Sequence, residues 1–312
     1  MKDYRVEFCP DFFVVGAAKS GTTAVYHWLR GHPGVFLPDT KEPGYFAFQE
    51  QPAVPANGLY DPDYTQRVTV EIDSYRALYA AAGDRLTGDV SPVYLQDENA
   101  ARRIASANPA AKIIVLLRDP VDRAYSQFLH HVRDSLEEAI SFEQALDLEL
   151  PRTQQGWSWG HKYVANGHYA EQIARYLEVF PKDQILFIEF CDLQSKPAEC
   201  WRQICDHLGL HWAPLLRNRR VNVSRGLDLA PSRPGISHVL RHPGRLQTLI
   251  KKLMPSGFRT RLRRVLEGKG RAVPGMTPLA RQSLASAYAQ ERKIVEELTG
   301  LDLAHWTSNK LR

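Results

Sequence analysis

The chain has 312 residues, 44% of them hydrophobic and 24% charged, which is enough apolar material for a folded core and excludes a disordered or low-complexity polymer. Forty Lys/Arg against 35 Asp/Glu leave a formal charge of +5, a modestly basic balance that suits an anionic ligand. Four cysteines, Cys9, Cys191, Cys200 and Cys205, form no C-x-x-C pair, which argues against a zinc or dithiol motif and for reduced thiols. The polar stretch Met1–Pro10 lacks a signal-peptide core, and no apolar run approaches the roughly 20 residues of a membrane span. The expectation is a soluble, cytoplasmic and most simply bacterial protein.

In chain order, Phe12–Val15 is a buried strand followed by a glycine turn. A helix starts near Thr22, carries Val25, Tyr26, Trp28 and Leu29, and stops at Gly31-His32-Pro33. A short strand, Val35–Leu37, leads into a polar, proline-bearing stretch from Asp39 to about Asp73, which reads as a surface excursion. The pattern then predicts a helix over Tyr75–Ala82, a strand over Arg85–Val90, a helix from Asp97 broken by Asn108-Pro109, and a β-branched strand over Ile113–Leu117. Helical patterns follow from Pro120 to Leu150 and over Tyr169–Phe180, with a strand at Gln184–Glu189 and a helix from Lys196 to Leu208 capped by Gly209. Strands alternating with helices predict an α/β fold: a P-loop-like, mostly parallel central sheet with helices on both faces, in a single domain over residues 1–312.

The loop Gly16-Ala17-Ala18-Lys19-Ser20-Gly21-Thr22-Thr23 fits the first half of a Walker A motif, G-x-x-x-x-G-K-[ST]. A turn of this kind aims backbone N–H groups and a helix N-terminus at one anion. The second half departs from the motif, because Thr22 stands in the lysine slot and the lysine sits inside the loop at Lys19. The loop therefore predicts a phosphate-bearing nucleotide other than ATP or GTP. Arg118 and Ser126 lie eight positions apart, just after the strand ending at Leu117. There they can clamp a second phosphate, Arg118 as a bidentate donor and Ser126 through its hydroxyl. Arg123 reads as structural. Two phosphate sites on neighbouring strands suit a nucleotide phosphorylated at both ends.

These motifs resemble those of the sulfotransferases that use 3′-phosphoadenosine 5′-phosphosulfate (PAPS), over roughly Phe12 to Leu210. The resemblance implies that Lys19, Ser20, Gly21, Thr22 and Thr23 hold the 5′-phosphosulfate. Arg118 and Ser126 then hold the 3′-phosphate, with 3′-phosphoadenosine 5′-phosphate (PAP) as product and no metal required. Lys41-Glu42-Pro43-Gly44-Tyr45 is similar to a segment of the glycosaminoglycan (heparan sulfate) branch. It makes Glu42 the catalytic base, with Lys41 orienting the acceptor or sulfuryl group and Tyr45 beside it. Asp89 and Ser91, in Gly88-Asp89-Val90-Ser91-Pro92, echo the same branch and join Tyr169 as acceptor-side residues. Val90 stands where that branch has a lysine, which removes one expected substrate-binding cation. Lys269 and Arg271 fall where the family closes a basic loop over the 3′-phosphate. Partners implied are a saccharide or small-molecule acceptor, sulfated on a hydroxyl or alternatively on an amine, and no nucleic acid. His130, His131 and His161 read as surface or supporting groups.

From Arg241 to Arg271 the chain holds ten Lys/Arg and one acid, Glu267, a formal +9. Residues 230–275 read as a variable, lid-like segment able to touch a membrane surface weakly, since Leu246, Leu249, Ile250 and Leu253 share one helical face. Two alternatives remain open on sequence: a P-loop kinase or other NTPase, and a non-catalytic sulfated-ligand or membrane-docked module.

Overall fold

A computed structural model describes residues 9–49, 53–215, 229–230 and 271–306. Five strands, β1 (Phe12–Gly16), β2 (Val35–Phe36), β3 (Leu86–Val90), β4 (Lys112–Leu117) and β5 (Ile185–Glu189), form one sheet in the order β2-β3-β1-β4-β5. Every neighbouring pair is parallel, with Phe12 opposite both Gly88 and Lys112, and Ile113 opposite Ile185. A short antiparallel pair, β6 (Leu229–Ala230) and β7 (Arg271–Ala272), stands apart from it.

The helices in chain order are α1 (Thr22–Arg30), α2 (Tyr45–Phe48), α3 (Pro62–Arg67), α4 (Ile72–Ala77), α5 (Val93–Gln96), α6 (Ala100–Ala107) and α7 (Pro120–Arg133). They continue with α8 (Phe142–Asp147), α9 (Glu149–Gln154), α10 (Tyr169–Leu177), α11 (Phe190–Ser195), α12 (Pro197–Leu208), α13 (Pro278–Ala287) and α14 (Ala289–Thr299). No helix among the described residues is long and apolar enough to cross a membrane.

Side-chain alternation along the strands builds two cores on opposite faces. Phe13, Val15, Ile113, Val115 and Leu117 pack with α2, α4, α5, α6 and α10. Phe12, Val14, Ile114 and Leu116 pack with α1 and α12. A third cluster joins α7 and α8 to Tyr163, Leu284 and Tyr288. Strands buried on both faces read as continuous apolar runs, which is why β1, β4 and β5 were legible. The central position of β1, with β3 on one side and β4 on the other, opens a crevice at the strand C-termini, where ligands of such sheets bind.

Three expectations change. The stretch 39–73 is not a surface excursion: it carries α2, α3 and the start of α4, and Tyr45, Phe46 and Ala47 are buried. The helix predicted from Pro120 to Leu150 ends at Arg133, where Ser135 takes φ 58°, and resumes at Phe142. The helix expected from Asp97 starts three residues later, at Ala100, because Asp97 stands in the break after α5 and accepts from the N–H groups of Asn99 and Ala100. Nearly all of the basic segment 241–271, Lys269 included, lies outside the described residues.

Candidate active site

The turn after β1 is tied back to the sheet. Ala17 N donates to the carbonyl of Leu116 at 2.6 Å, and Ser20 N donates to that of Ala17 at 3.2 Å. Gly21 is the N-cap of α1, with φ 93° and no side-chain cap. A Cβ there would sit 2.5 Å from Leu193 Cδ2, so glycine is required both by φ and by space. The first N–H groups of α1 have no intrahelical acceptor, as at any helix start. Ser20 is fully buried, its hydroxyl beside that of Tyr169. An uncapped helix start and an ammonium fit a phosphate or sulfate group. Lys19 takes φ 69°; burial, and then the Arg133 charge, push its ammonium pKa down to about 8.

The second element is the loop after β2. Lys41 Nζ donates to Glu42 Oε1 at 2.6 Å and to Thr23 Oγ1 at 3.0 Å, so one ammonium joins the carboxylate to the start of α1. Glu42 takes φ 61°, an uncommon conformation for a side-chain-bearing residue. The loop is pinned from below: Gly44 N donates to Ser91 Oγ at 3.1 Å, and Ser91 Oγ donates to Asp89 Oδ1 at 2.6 Å. The other carboxylate oxygen of Asp89 accepts from Tyr75 at 2.7 Å and from Tyr94 at 2.8 Å. Asp89 is fully buried, and burial raises its pKa to about 6 against those three hydrogen bonds.

The third element is the end of β4 and the start of α7. Asp119 caps α7 by accepting from Val121 N and Asp122 N, and Pro120 occupies the first turn. Arg118 donates to the carbonyl of Lys19 at 3.1 Å, and its guanidinium lies 4.7 Å from the Phe190 ring centroid. Ser126 is buried two turns along α7. Arg123 is buried and donates to the carbonyl of Tyr163, a structural role.

Lys19, Gly21, Thr22, Thr23, Lys41, Glu42, Arg118 and Ser126 all line one cleft of about 2320 Å³. Tyr45, Asp89, Ser91 and Tyr169, expected on the acceptor side, do not line it. Tyr45 stacks on Tyr75 at 4.7 Å, and Tyr169 donates to the carbonyl of Arg118 at 3.1 Å; Asp89 and Ser91 hold the loop beneath Glu42. Arg271 lies in β7 beside Leu229–Ala230.

Sequence reasoning missed His130, which lines the cleft. Burial, with the charge of Lys19, pushes its pKa down to about 4, so it is neutral at pH 7. The available signal was its position four residues after Ser126, on the same face of α7. Behind it, His131, Glu137 and His161 bring three ligating atoms within 4.8 Å of one another. Protein groups engage each of them: His131 contacts Gln127 and Tyr163, His161 contacts Ser158 and the carbonyl of Leu136, and Glu137 accepts from Arg152 and Tyr163. That trio is a satisfied polar network.

A parallel P-loop-like sheet with backbone N–H donors and cations at the C-terminal ends of β1 and β4, and a carboxylate beside them, has the form of a group-transfer enzyme acting on a phosphorylated nucleotide. The chain belongs to the Sulfotransferase family, whose profile matches residues 10–214. Bifunctional heparan sulfate N-deacetylase/N-sulfotransferase 3 of Homo sapiens is 29% identical over 303 residues, covering 85% of this chain and 33% of that protein. Bifunctional heparan sulfate N-deacetylase/N-sulfotransferase 4 of Mus musculus is 28% identical over 324 residues, covering 100% of this chain and 32% of that protein. The chain thus spans about a third of the length of these relatives. A crystal structure of a sulfotransferase from Alicyclobacillus acidocaldarius superposes with a TM-score of 0.72 at 28% identity, covering 96% of this chain and 100% of that one. The family match sets aside the kinase alternative, as does the absence of a lysine at position 22.

Proposed function

We propose that this protein moves a sulfuryl group from PAPS to the hydroxyl of a small-molecule or saccharide acceptor. The observation that carries the reading is the Lys41 ammonium, which ties the Glu42 carboxylate to Thr23 at the mouth of the phosphate loop. A proton acceptor is thereby positioned against an anion cradle. When bound, the donor supplies an activated sulfuryl group on a bisphosphate leaving group. The N–H groups at the start of α1, with Lys19, Ser20, Thr22 and Thr23, hold its 5′ end; Arg118 and Ser126 hold its 3′-phosphate. Glu42 accepts the proton of the attacking hydroxyl, whose pKa lies far above 7 and which needs a base in the transition state. The bond from sulfur to the acceptor oxygen forms as the bond from sulfur to the phosphate oxygen breaks, and the Lys19 ammonium offsets charge on the departing oxygen. Burial of the cradle makes that ammonium count for more than it would in water.

The test is formation of PAP from PAPS in the presence of an acceptor panel, run beside Glu42→Gln. Acceptor-dependent PAP release that collapses in Glu42→Gln supports the reading. Thermal stabilisation by magnesium ATP and not by PAP would overturn it.

A further inference from the structure

The cleft continues past Glu42 into a wall built from the segment expected to be a surface loop. Tyr60 and Tyr64, on either side of the start of α3, line it together with Trp157 and Trp159. Trp157 is already covered. The Arg152 guanidinium lies 4.5 Å from its ring centroid, and the backbone of Gly58 packs so tightly that a Cβ would meet the ring at 2.1 Å. Tyr64 and Trp159 are different: their rings face each other obliquely, 6.2 Å apart and tilted by 60°. The Tyr64 hydroxyl is buried beside Trp159, and burial with the Glu42 charge raises its pKa, so it stays protonated at neutral pH.

The charge of this wall is as informative as its rings. Among the described residues lining the cleft, Lys/Arg and Asp/Glu are equal in number, seven of each. Several cations are taken: Lys41 pairs with Glu42, Arg281 with Asp122, and Arg133 with Asp134. Lys19 and Arg118 belong to the phosphate cradle. Arg67 and Lys162 remain, and Asp61, Asp97 and Glu98 line the same cleft. A polyanionic chain would need an excess of cations here, because like charges brought together in a cleft cost free energy. A residue that could have supplied one more, Val90, is buried in the core.

Resting on the sulfuryl-transfer reading, we infer that the acceptor is an uncharged, ring-bearing hydroxyl compound held against Tyr64 and Trp159, and not a polyanionic saccharide. Such a ring offers an apolar face to the aromatic pair, which favours flat or edge contact. Its hydroxyl meets Glu42. A sugar ring and a phenol ring share this chemistry.

The full chain is assayed with PAPS and three acceptors: an uncharged aryl glycoside, a simple uncharged phenol, and unsulfated heparosan as the polyanion. PAP affinity is measured in parallel. At least one ring compound is expected to exceed heparosan in kcat/KM by about tenfold or more, with little change between about 50 and 300 mM salt. The glycoside and the phenol arms distinguish the two sources of the ring. Trp159→Ala is expected to raise the KM of the preferred ring compound by about tenfold while leaving PAP affinity unchanged; Trp159→Phe recovers most of it. Preference for heparosan with a steep salt dependence overturns the inference, as does an unchanged KM in Trp159→Ala. If neither ring compound is turned over the inference also fails, while retained PAP binding preserves the donor assignment.

Discussion

Lys41 and Thr23, 18 residues apart, are joined by a 3.0 Å hydrogen bond from the ammonium to the hydroxyl. That bond fastens the loop carrying Glu42 to the first turn of α1. The Glu42 loop and the start of α1 are thus coupled through the Lys41 side chain, which a substitution at Glu42 leaves in place.

Glu42→Gln should leave PAP affinity nearly intact and lower the transfer rate by roughly 10²–10⁴-fold, the usual reach of a general base. The glutamine keeps the size of the side chain and can still accept from Lys41. Steady-state transfer rates together with calorimetric titration of PAP check this. Retention of more than half the rate would move the base elsewhere, with His130 the next group in the cleft.

Arg118→Ala should weaken PAP by on the order of 1.5–3 kcal/mol, the value of a hydrogen bond to a charged group. The loss for 5′-AMP should be much smaller, since the 3′-phosphate is missing. Equal losses for the two nucleotides would mean that Arg118 acts only through its bond to the Lys19 carbonyl.

The Lys19 ammonium titrates at about 8 in the folded chain against an ordinary 10.5. Between those values the unfolded chain binds more protons, so stability rises with pH over that window, and below it the buried charge is a constant cost. Activity runs the other way, because the cation is the useful form. The donor kcat/KM should fall about tenfold per pH unit above about 8. Lys19→Arg should abolish that limb, and a pH–rate profile of the two proteins decides it.

Gly88→Ala should destabilise the sheet. The new Cβ would stand 2.1 Å from Phe12 Cζ on the paired strand, and overpacking of this kind costs about 1–3 kcal/mol. A lower denaturation midpoint with an unchanged slope is the expected result in a urea titration.

The strands and the phosphate loop were legible because each is a local pattern: a β-branched run, then glycines at fixed spacing. Arg118 follows the last residue of β4 and Ser126 lies two turns into α7, positions that the strand run and the Asp119-Pro120 helix start mark in the sequence. The Tyr45 region was not, since α2 has only four residues and no period to read, and its burial comes from partners on α4 and α5 far along the chain. The break after Arg133 carries no glycine or proline to mark it; Ser135 adopts the left-handed conformation instead. Asp89 looked like a site residue because its segment resembles that of the heparan sulfate branch. Three hydroxyl donors, two of them from tyrosines on α4 and α5, make it a buried anchor, and no one-dimensional pattern reveals such a network.

Lys19 and Glu42 share a property beyond the cleft: both hold positive φ, at 69° and 61°. A side chain in that region costs of order 1–3 kcal/mol, which glycine would relieve. Selection for folding alone, in a library randomised at these two positions, should therefore drift toward glycine and yield sturdier proteins that transfer nothing. Selection for turnover should hold lysine and glutamate there against that drift.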